Sequence, residues 1–230
     1  MKLSIIIPVY NERETIKELI NKVEGVNIGK IEKEIIIVDD FSKDGTREIL
    51  QELVKNKKIK LLFHDKNYGK GHAIKSGLKV AKGDIILVQD ADLEYNPNEY
   101  NKLIKPIIEN KAKVVYGSRI LNKGNGYSSL LFYIGGRAVT AITNILYNSR
   151  LSDEPTCYKV FRKDVIDGIK IEGERFEWEP EVTAKILKKG IRIAEVPISY
   201  NPRGKEKGKK INWKDGIIAI WTLIKYRFRD

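Results

Sequence analysis

The run Ile85-Ile86-Leu87-Val88-Gln89-Asp90-Ala91-Asp92-Leu93-Glu94 passes from four adjacent apolar residues to three acids spaced two apart. Apolar residues without alternation make a strand covered on both faces, as in a parallel sheet flanked by helices. Such sheets place their ligands at the carboxyl ends of the strands. In extended chain, residues two apart project to the same side. Asp90, Asp92 and Glu94 can therefore converge on one point, where bare carboxylates repel unless a cation joins them. Hard oxygen ligands favour Mg²⁺ or Mn²⁺, shared with substrate phosphates. A solvated acidic turn has the same composition, but the end of a buried strand is an unusual place for one.

Working outward, Leu3–Ile7, Glu34–Val38, Ile59–Phe63 and Val114–Tyr116 read as further strands of this kind. Between them, the stretches 15–23, 45–54, 73–81 and 98–108 carry apolar residues at helical spacing. The alternation predicts an α/β fold: a mainly parallel, Rossmann-like central sheet with helices on both faces. The second half is less regular. It holds an apolar helical stretch at 128–147 broken by Gly135, Gly136 and Arg137, a compact piece at 156–162, and a helix at 179–189. A strand at 191–197, a polar loop from Asn201 and an amphipathic helix from Trp213 complete it. The expected division is one domain over 1–212 with a C-terminal helix over 213–230.

The chain of 230 residues carries a formal net charge of +12. No acid occurs between Asn110 and Ser152, and from Ile198 onward nine Lys and Arg face three Asp and Glu. A basic surface serves nucleic acid, anionic lipid or a multiply charged substrate. The aromatics do not interleave with the cations as stacking platforms for bases do, so no nucleic acid partner is expected. The single cysteine, Cys157, rules out a disulfide framework and fits a reducing cytoplasm. With no signal-peptide pattern and no apolar run of about 18 residues, the expectation is a soluble or peripheral protein.

After the first strand comes Pro8-Val9-Tyr10-Asn11-Glu12, where a dinucleotide fold would carry a glycine-rich turn. After the second comes Asp39-Asp40-Phe41-Ser42-Lys43-Asp44-Gly45, which suits a polar ring with N–H donors, such as a nucleobase. Asp40 or Ser42 can instead cap the next helix, and an acid pair here also occurs in phosphoacceptor receiver modules. Arg119, Arg137, Arg203 and Lys209 lie in the basic half, and arginine forks grip phosphate oxygens. His64 and His72, the only histidines, have neither metal-ligand nor triad spacing and read as structural.

The set Ile-Ile-Pro-Val-Tyr-Asn-Glu, Val-Asp-Asp-x-Ser-x-Asp-Gly-Thr, Asn-Tyr-Gly-Lys-Gly, Asp-Ala-Asp-Leu and Gly-Ser-Arg, in this order, resembles family 2 glycosyltransferases of the GT-A fold. Thr156-Cys-Tyr-Lys, Glu-Pro-Glu at 179–181 and Glu-Val-Pro-Ile-Ser-Tyr extend the likeness to the dolichyl-phosphate mannose synthase and polyprenyl-phosphate glycosyltransferase branch, over roughly 3–212. The resemblance implies a nucleoside pocket of Pro8, Tyr10, Glu12, Ile37 and Asp39. It implies a diphosphate–metal site at Asp90, Ala91 and Asp92 with Glu94 as a further ligand. Arg119, Arg137, Arg203 and Lys209 then hold the donor diphosphate and acceptor phosphate, with Asp92, Arg119 and Arg203 as the catalytic set. The loop from Arg203 lacks the Gly-x-Ser-Lys form of typical mannose synthases, which leaves the sugar open between mannose and glucose.

The activity that the resemblance implies is inverting hexose transfer from a nucleotide-sugar, GDP-mannose favoured and UDP-glucose second, to a polyprenyl or dolichyl phosphate. Mg²⁺ or Mn²⁺ would neutralise the departing diphosphate. A lipid phosphate needs no strong base; a sugar hydroxyl acceptor would, with Glu179 or Glu181 as candidates. A glycan or small soluble acceptor on the same donor machinery is one rival, and a non-catalytic nucleotide-binding or receiver-like module another. Two stripes support the lipid: Leu130, Leu131, Phe132, Ile134, Ile142, Ile145 and Leu146, and Trp213, Ile217, Ile220, Trp221 and Ile224 beside Lys214, Lys225, Arg227 and Arg229. Interfacial helices combine these features, which places the protein peripherally on the cytoplasmic face of a membrane. Both stripes can equally pack on the core or across a dimer, and the oligomeric state stays open.

Overall fold

Strands β1 (Lys2–Val9), β2 (Glu32–Asp39), β3 (Ile59–Phe63), β4 (Ile85–Val88), β5 (Val114–Ser118), β6 (Lys159–Arg162) and β7 (Ile193–Pro197) form one sheet in the order β3-β2-β1-β4-β6-β5-β7. They belong to a computed structural model that describes residues 1–55, 59–127, 129–203 and 213–229. β1 pairs in parallel with β2 and β4, β2 with β3, and β5 with β7. The mainly parallel sheet is as expected, with one addition. The compact piece at 156–162 contains β6, which runs antiparallel between β4 and β5. Its four residues, ended by Lys159 and Arg162, are too short for a periodic signal.

Alternation along the strands sends side chains to two separate cores. Leu3, Ile5 and Ile7 of β1 meet Leu19 and Val23 of α1 (Ile16–Gly25), Leu50 of α2 (Thr46–Val54) and Leu103 and Ile107 of α4 (Tyr100–Ile108). Ile6, Ile36 and Ile86 face the other way, toward Ile74 of α3 (Lys70–Val80), Ile166 of α6 (Lys163–Asp167) and Trp178 and Val182 of α7 (Trp178–Lys188). Both faces of the central strands are therefore sealed, while the edge strands β3 and β7 stay partly exposed along their length.

Helices α5 (Leu130–Tyr147) and α8 (Trp213–Phe228) pack on each other and on α7. Their inner sides meet through Val139, Ala184, Leu223 and Tyr226, with Ile142, Leu146 and Ile220 partly covered. The outer sides are bare: Leu130 is 72% exposed, Ile145 81%, Trp213 64% and Trp221 65%. The two stripes thus divide, one part packing on the domain and the other facing outward. By length and composition α5 suffices to cross a membrane, contrary to the expectation that no run is long enough. Its glycines interrupt the apolar pattern without breaking the helix.

One buried polar hub ties the second half to the sheet. Gln89 Oε1, just past β4, accepts hydrogen bonds from Tyr100 and Tyr158, each at 2.7 Å. All three side chains are buried. Gln89→Leu leaves both hydroxyls without this acceptor and is expected to cost about 2–4 kcal/mol in urea unfolding, at roughly 1–3 kcal/mol per stranded group. A change below about 0.5 kcal/mol, the scale of a surface substitution, would show that the hub contributes nothing.

Candidate active site

At the carboxyl ends of β1, β2 and β4 the chain turns through Asn11, Phe41 and Leu93, each with φ between 50° and 68°. Non-glycine residues seldom adopt this left-handed region, and such positions gather at functional sites. These turns bring Glu12, Asp39, Asp90 and Asp92 to one edge of the sheet. Each acid there has an internal cation.

Asp39, fully buried, receives Arg47 on one oxygen, with Nε and Nη2 at 2.9 and 2.8 Å from Oδ2. Its other oxygen, Oδ1, is buried without a hydrogen-bond partner. Asp40 does not cap α2. It accepts from the amides of Tyr68 and Gly69, the Asn67 side chain and His64 Nδ1. Asp44 is the acid that binds the Thr46 amide at the start of α2, while Ser42 accepts from the Asn11 amide. Asp40 thereby fixes the entry to α3, where Gly69 sits at φ 107° and a β-carbon would come within 2.6 Å of the Glu174 carbonyl. His64 Nε2 lies 2.9 Å from Ser76 Oγ, so this histidine bridges Asp40 and α3 and is structural, as expected.

Lys70 escapes a reading of the sequence. The glycines of Asn-Tyr-Gly-Lys-Gly hide a helix start, and a lone lysine at a helix N-terminus carries no signal of its own. Its Nζ lies 2.7 Å from Asp90 Oδ1, 2.9 Å from Glu179 Oε1 and 3.3 Å from Cys157 Sγ. Burial works against its charge, but the carboxylates of Asp90 and Glu179 outweigh that and hold the ammonium well above the ordinary lysine range. Cys157 is a buried free thiol, its acidity suppressed first by burial and then by the charge of Asp90.

Arg203 clamps the opposite side. It donates to both oxygens of Glu12 at 3.0 and 3.2 Å and to Asp92 Oδ2 at 3.1 Å. Its amide binds Glu94 Oε1, whose second oxygen accepts from Tyr200. Glu94 is therefore committed to the segment entering the polar loop, and among the described residues no three His, Cys, Asp or Glu side chains gather as a metal-holding group. Asp90 and Asp92 are engaged in the same way, by Lys70 and Arg203, so all three expected ligands carry internal partners. Burial, then the charges of Asp90 and Glu94, push the Asp92 carboxyl up to about 7. That crowding of oxygen donors suits a hard divalent cation.

The remaining candidates fall unevenly. Pro8 and Tyr10 line the end of β1 and are part-exposed; Ala91 is buried, its carbonyl accepting from Thr15. Ile37 has its side chain wholly within the core, so any contact with a nucleoside is restricted to its backbone. Arg119 is spent on Asp153 through Nε and Nη2 at 2.8 and 2.7 Å, with the Pro155 carbonyl at 3.0 Å. It braces the loop after α5. Arg137 sits on α5 and donates to the Ser152 carbonyl. Lys209 lies outside the described residues. Of the two conditional bases, Glu181 accepts from the Glu172 and Gly173 amides and Lys185, a structural use, whereas Glu179 reaches the site through Lys70.

A family model described as glycosyl transferase family 2 matches residues 4–169. The chain is 33% identical to a dolichol-phosphate mannosyltransferase of Pyrococcus furiosus over 98% of its own length, and spans 64% of that relative. It is 32% identical to a UDP-N-acetylglucosamine–dolichyl-phosphate N-acetylglucosaminyltransferase of Methanococcus voltae, covering 84% of the chain and 83% of the relative. Glucosyl-3-phosphoglycerate synthase from Mycobacterium tuberculosis, in complex with UDP, superposes with a TM-score of 0.76 at 16% identity, over 98% of this chain and 80% of that one. The architecture is thus the GT-A fold anticipated from the motifs.

The raised Asp92 has a signed consequence. Its folded pKa near 7 exceeds an unfolded value of about 4. As pH rises through that window the unfolded chain releases this proton first, and stability falls. In metal-free urea unfolding, wild type is therefore expected to lose stability relative to Asp92→Asn between about pH 4 and 7. Parallel pH profiles for the two proteins would contradict the assignment.

Proposed function

The chain belongs to glycosyl transferase family 2, and we propose that it moves a hexose from a nucleotide-sugar onto the phosphate of a polyprenyl or dolichyl lipid at a membrane surface. The observation that carries this reading is the row of Asp39, Asp90 and Asp92 at the ends of β2 and β4, the two strands that flank β1, each acid beside an internal cation. Asp39 offers a buried acceptor to a nucleobase. Asp90 and Asp92 face the diphosphate, and Arg203 stands beside them as a ready partner for phosphate oxygens once it leaves Asp92.

Asp90 and Asp92 are the residues that would hold Mg²⁺ or Mn²⁺, as the M. tuberculosis synthase with Mn²⁺, UDP and phosphoglyceric acid supports in kind. When bound, the cation supplies charge neutralisation at the departing diphosphate. The chain's own part is positional and electrostatic. The acceptor phosphate oxygen attacks the anomeric carbon, the bond from that carbon to the diphosphate breaks, and the configuration inverts. An ionised phosphate needs no base, which agrees with Glu179 being neutralised by Lys70. Dolichol or dolichyl phosphate in the names of both curated relatives supports the acceptor. Those names differ in the sugar, so the proposal leaves the sugar open between them.

The outward faces of α5 and α8 support the membrane. Leu130, Leu131, Ile134, Trp213, Ile217 and Trp221 are exposed together, with cations and few acids around them. We place them in the headgroup region of an anionic leaflet, on the side of the membrane that is reducing.

Incubation with nucleotide-sugars, Mn²⁺ and a short polyprenyl phosphate is expected to yield a polyprenyl-phosphate hexose of inverted configuration. Asp92→Ala is expected to lower turnover by about 10²–10³-fold, the scale of one lost electrostatic group; near-normal turnover would reject the site. Transfer only to soluble glycans would move the proposal to the other acceptor class. Flotation with anionic vesicles at low salt is expected to carry the protein upward, and Trp213→Glu with Trp221→Glu to abolish it. Wild type that stays at the bottom at low salt rules out the membrane contact.

A further inference from the structure

We infer that the strand-end site at Asp39 takes a uracil nucleotide in preference to a guanine nucleotide, and that Arg47 is the positioning residue that sets the preference. This rests on the nucleotide-sugar reading above and adds the base to it.

Asp39 has little acceptor capacity left. Oδ2 already accepts from Arg47 Nε at 2.9 Å and from the Ser42 amide at 3.3 Å, with Arg47 Nη2 beside it as an ion-pair contact at 2.8 Å. A carboxylate oxygen has about two lone-pair sites, so Oδ2 is filled. Oδ1 is buried and receives nothing. Asp39 thus presents one open acceptor.

Arg47 is not free to turn away. Its Nη2 also donates to the His64 carbonyl at 2.8 Å. The guanidinium lies 4.6 Å from the centre of the Phe63 ring and 5.7 Å from that of Phe41, within the range of cation–π attraction. These contacts come from β3 and from the turn after β2, so the fork is fixed by two elements besides its own helix.

The two bases differ in what they ask of a carboxylate. The edge of uracil carries one N–H between two carbonyls, and a single open oxygen satisfies it. Guanine carries two adjacent donors, the ring N–H and the exocyclic amino group, which together call for both oxygens of one carboxylate. With Oδ2 occupied, the amino group meets an oxygen that already has its donors, and burying it there costs the hydrogen bond it had in water. A site with a free carboxylate would read guanine; this one is half used by its own chain.

Calorimetric titration of the intact protein with UDP and with GDP, each with Mn²⁺, tests this. UDP is expected to bind at least about tenfold tighter, the scale of one stranded polar group. Arg47→Met keeps packing over Phe63 while releasing Oδ2, and is expected to narrow the UDP-to-GDP ratio at least about fivefold; Arg47→Lys, which can still donate to Oδ2, is expected to fall between. GDP binding as tightly as UDP to wild type overturns the inference and leaves the nucleotide-sugar reading standing. Binding of neither diphosphate overturns both. A ratio unchanged in Arg47→Met, with wild-type melting behaviour, removes Arg47 from the account; if that variant does not fold, the wild-type ratio and Arg47→Lys still decide.

Discussion

A row of acids at the open edge of the sheet can exist only because each is held by a cation from elsewhere in the chain. Asp39 has Arg47 from α2, Asp90 and Glu179 share Lys70 from the start of α3, and Glu12 and Asp92 share Arg203. Buried charges cost several kcal/mol each unless paired. The pairings therefore decide which segments must sit together before the edge can form. Lys70 ties α3 to β4 and α7. Arg203 ties the far end of the chain, past β7, to the first turn. The edge proposed as the donor site is also the point where distant parts of the sequence are stapled.

The same arrangement separates two kinds of cation. Lys70 sits among Asp90, Glu179 and Cys157 in a closed, buried cluster and serves as fixed charge. Arg203, part-exposed at the mouth of the polar loop, is bound to acids that a divalent cation would also claim. Under the proposed function it is the exchangeable partner, trading carboxylates for phosphate. Helices α5 and α8 show their apolar outer faces to solvent, and α8 follows the loop that Arg203 enters. In the chain, that loop thus joins the acidic strand edge to a helix with an exposed apolar face. A donor that is multiply anionic and an acceptor with a long apolar tail call for such neighbours.

Much of this is legible in residues alone. Strands buried on both faces announce themselves as unbroken Ile, Val and Leu, which is why β1, β2 and β4 and the acids after them can be placed. Ordered motifs carry the family, since each recurs at a strand end that the fold must present. Other features leave no local trace. β6 is short and antiparallel, and its pairing is a tertiary choice. Lys70, Arg47 and Asp153 are ordinary charged residues whose roles arise from partners elsewhere in the chain: Lys70 from Glu179, Asp153 from Arg119. For the same reason the internal partners of Arg119, Arg203, Asp90, Asp92 and Glu94 leave no trace in the sequence. Type and position in sequence do not reveal which arginines are already paired.

The most direct measurement is a crystal structure of the protein with a nucleoside diphosphate and Mn²⁺. The base should lie against Asp39, the metal and diphosphate against Asp90 and Asp92, and the Arg203 guanidinium should have left Asp92 for the phosphates while Lys70 stays on Asp90. A nucleotide bound away from this edge, or one bound here with Arg203 still on Glu12 and Asp92, would contradict the view that the acidic row is a donor site held ready by its own cations.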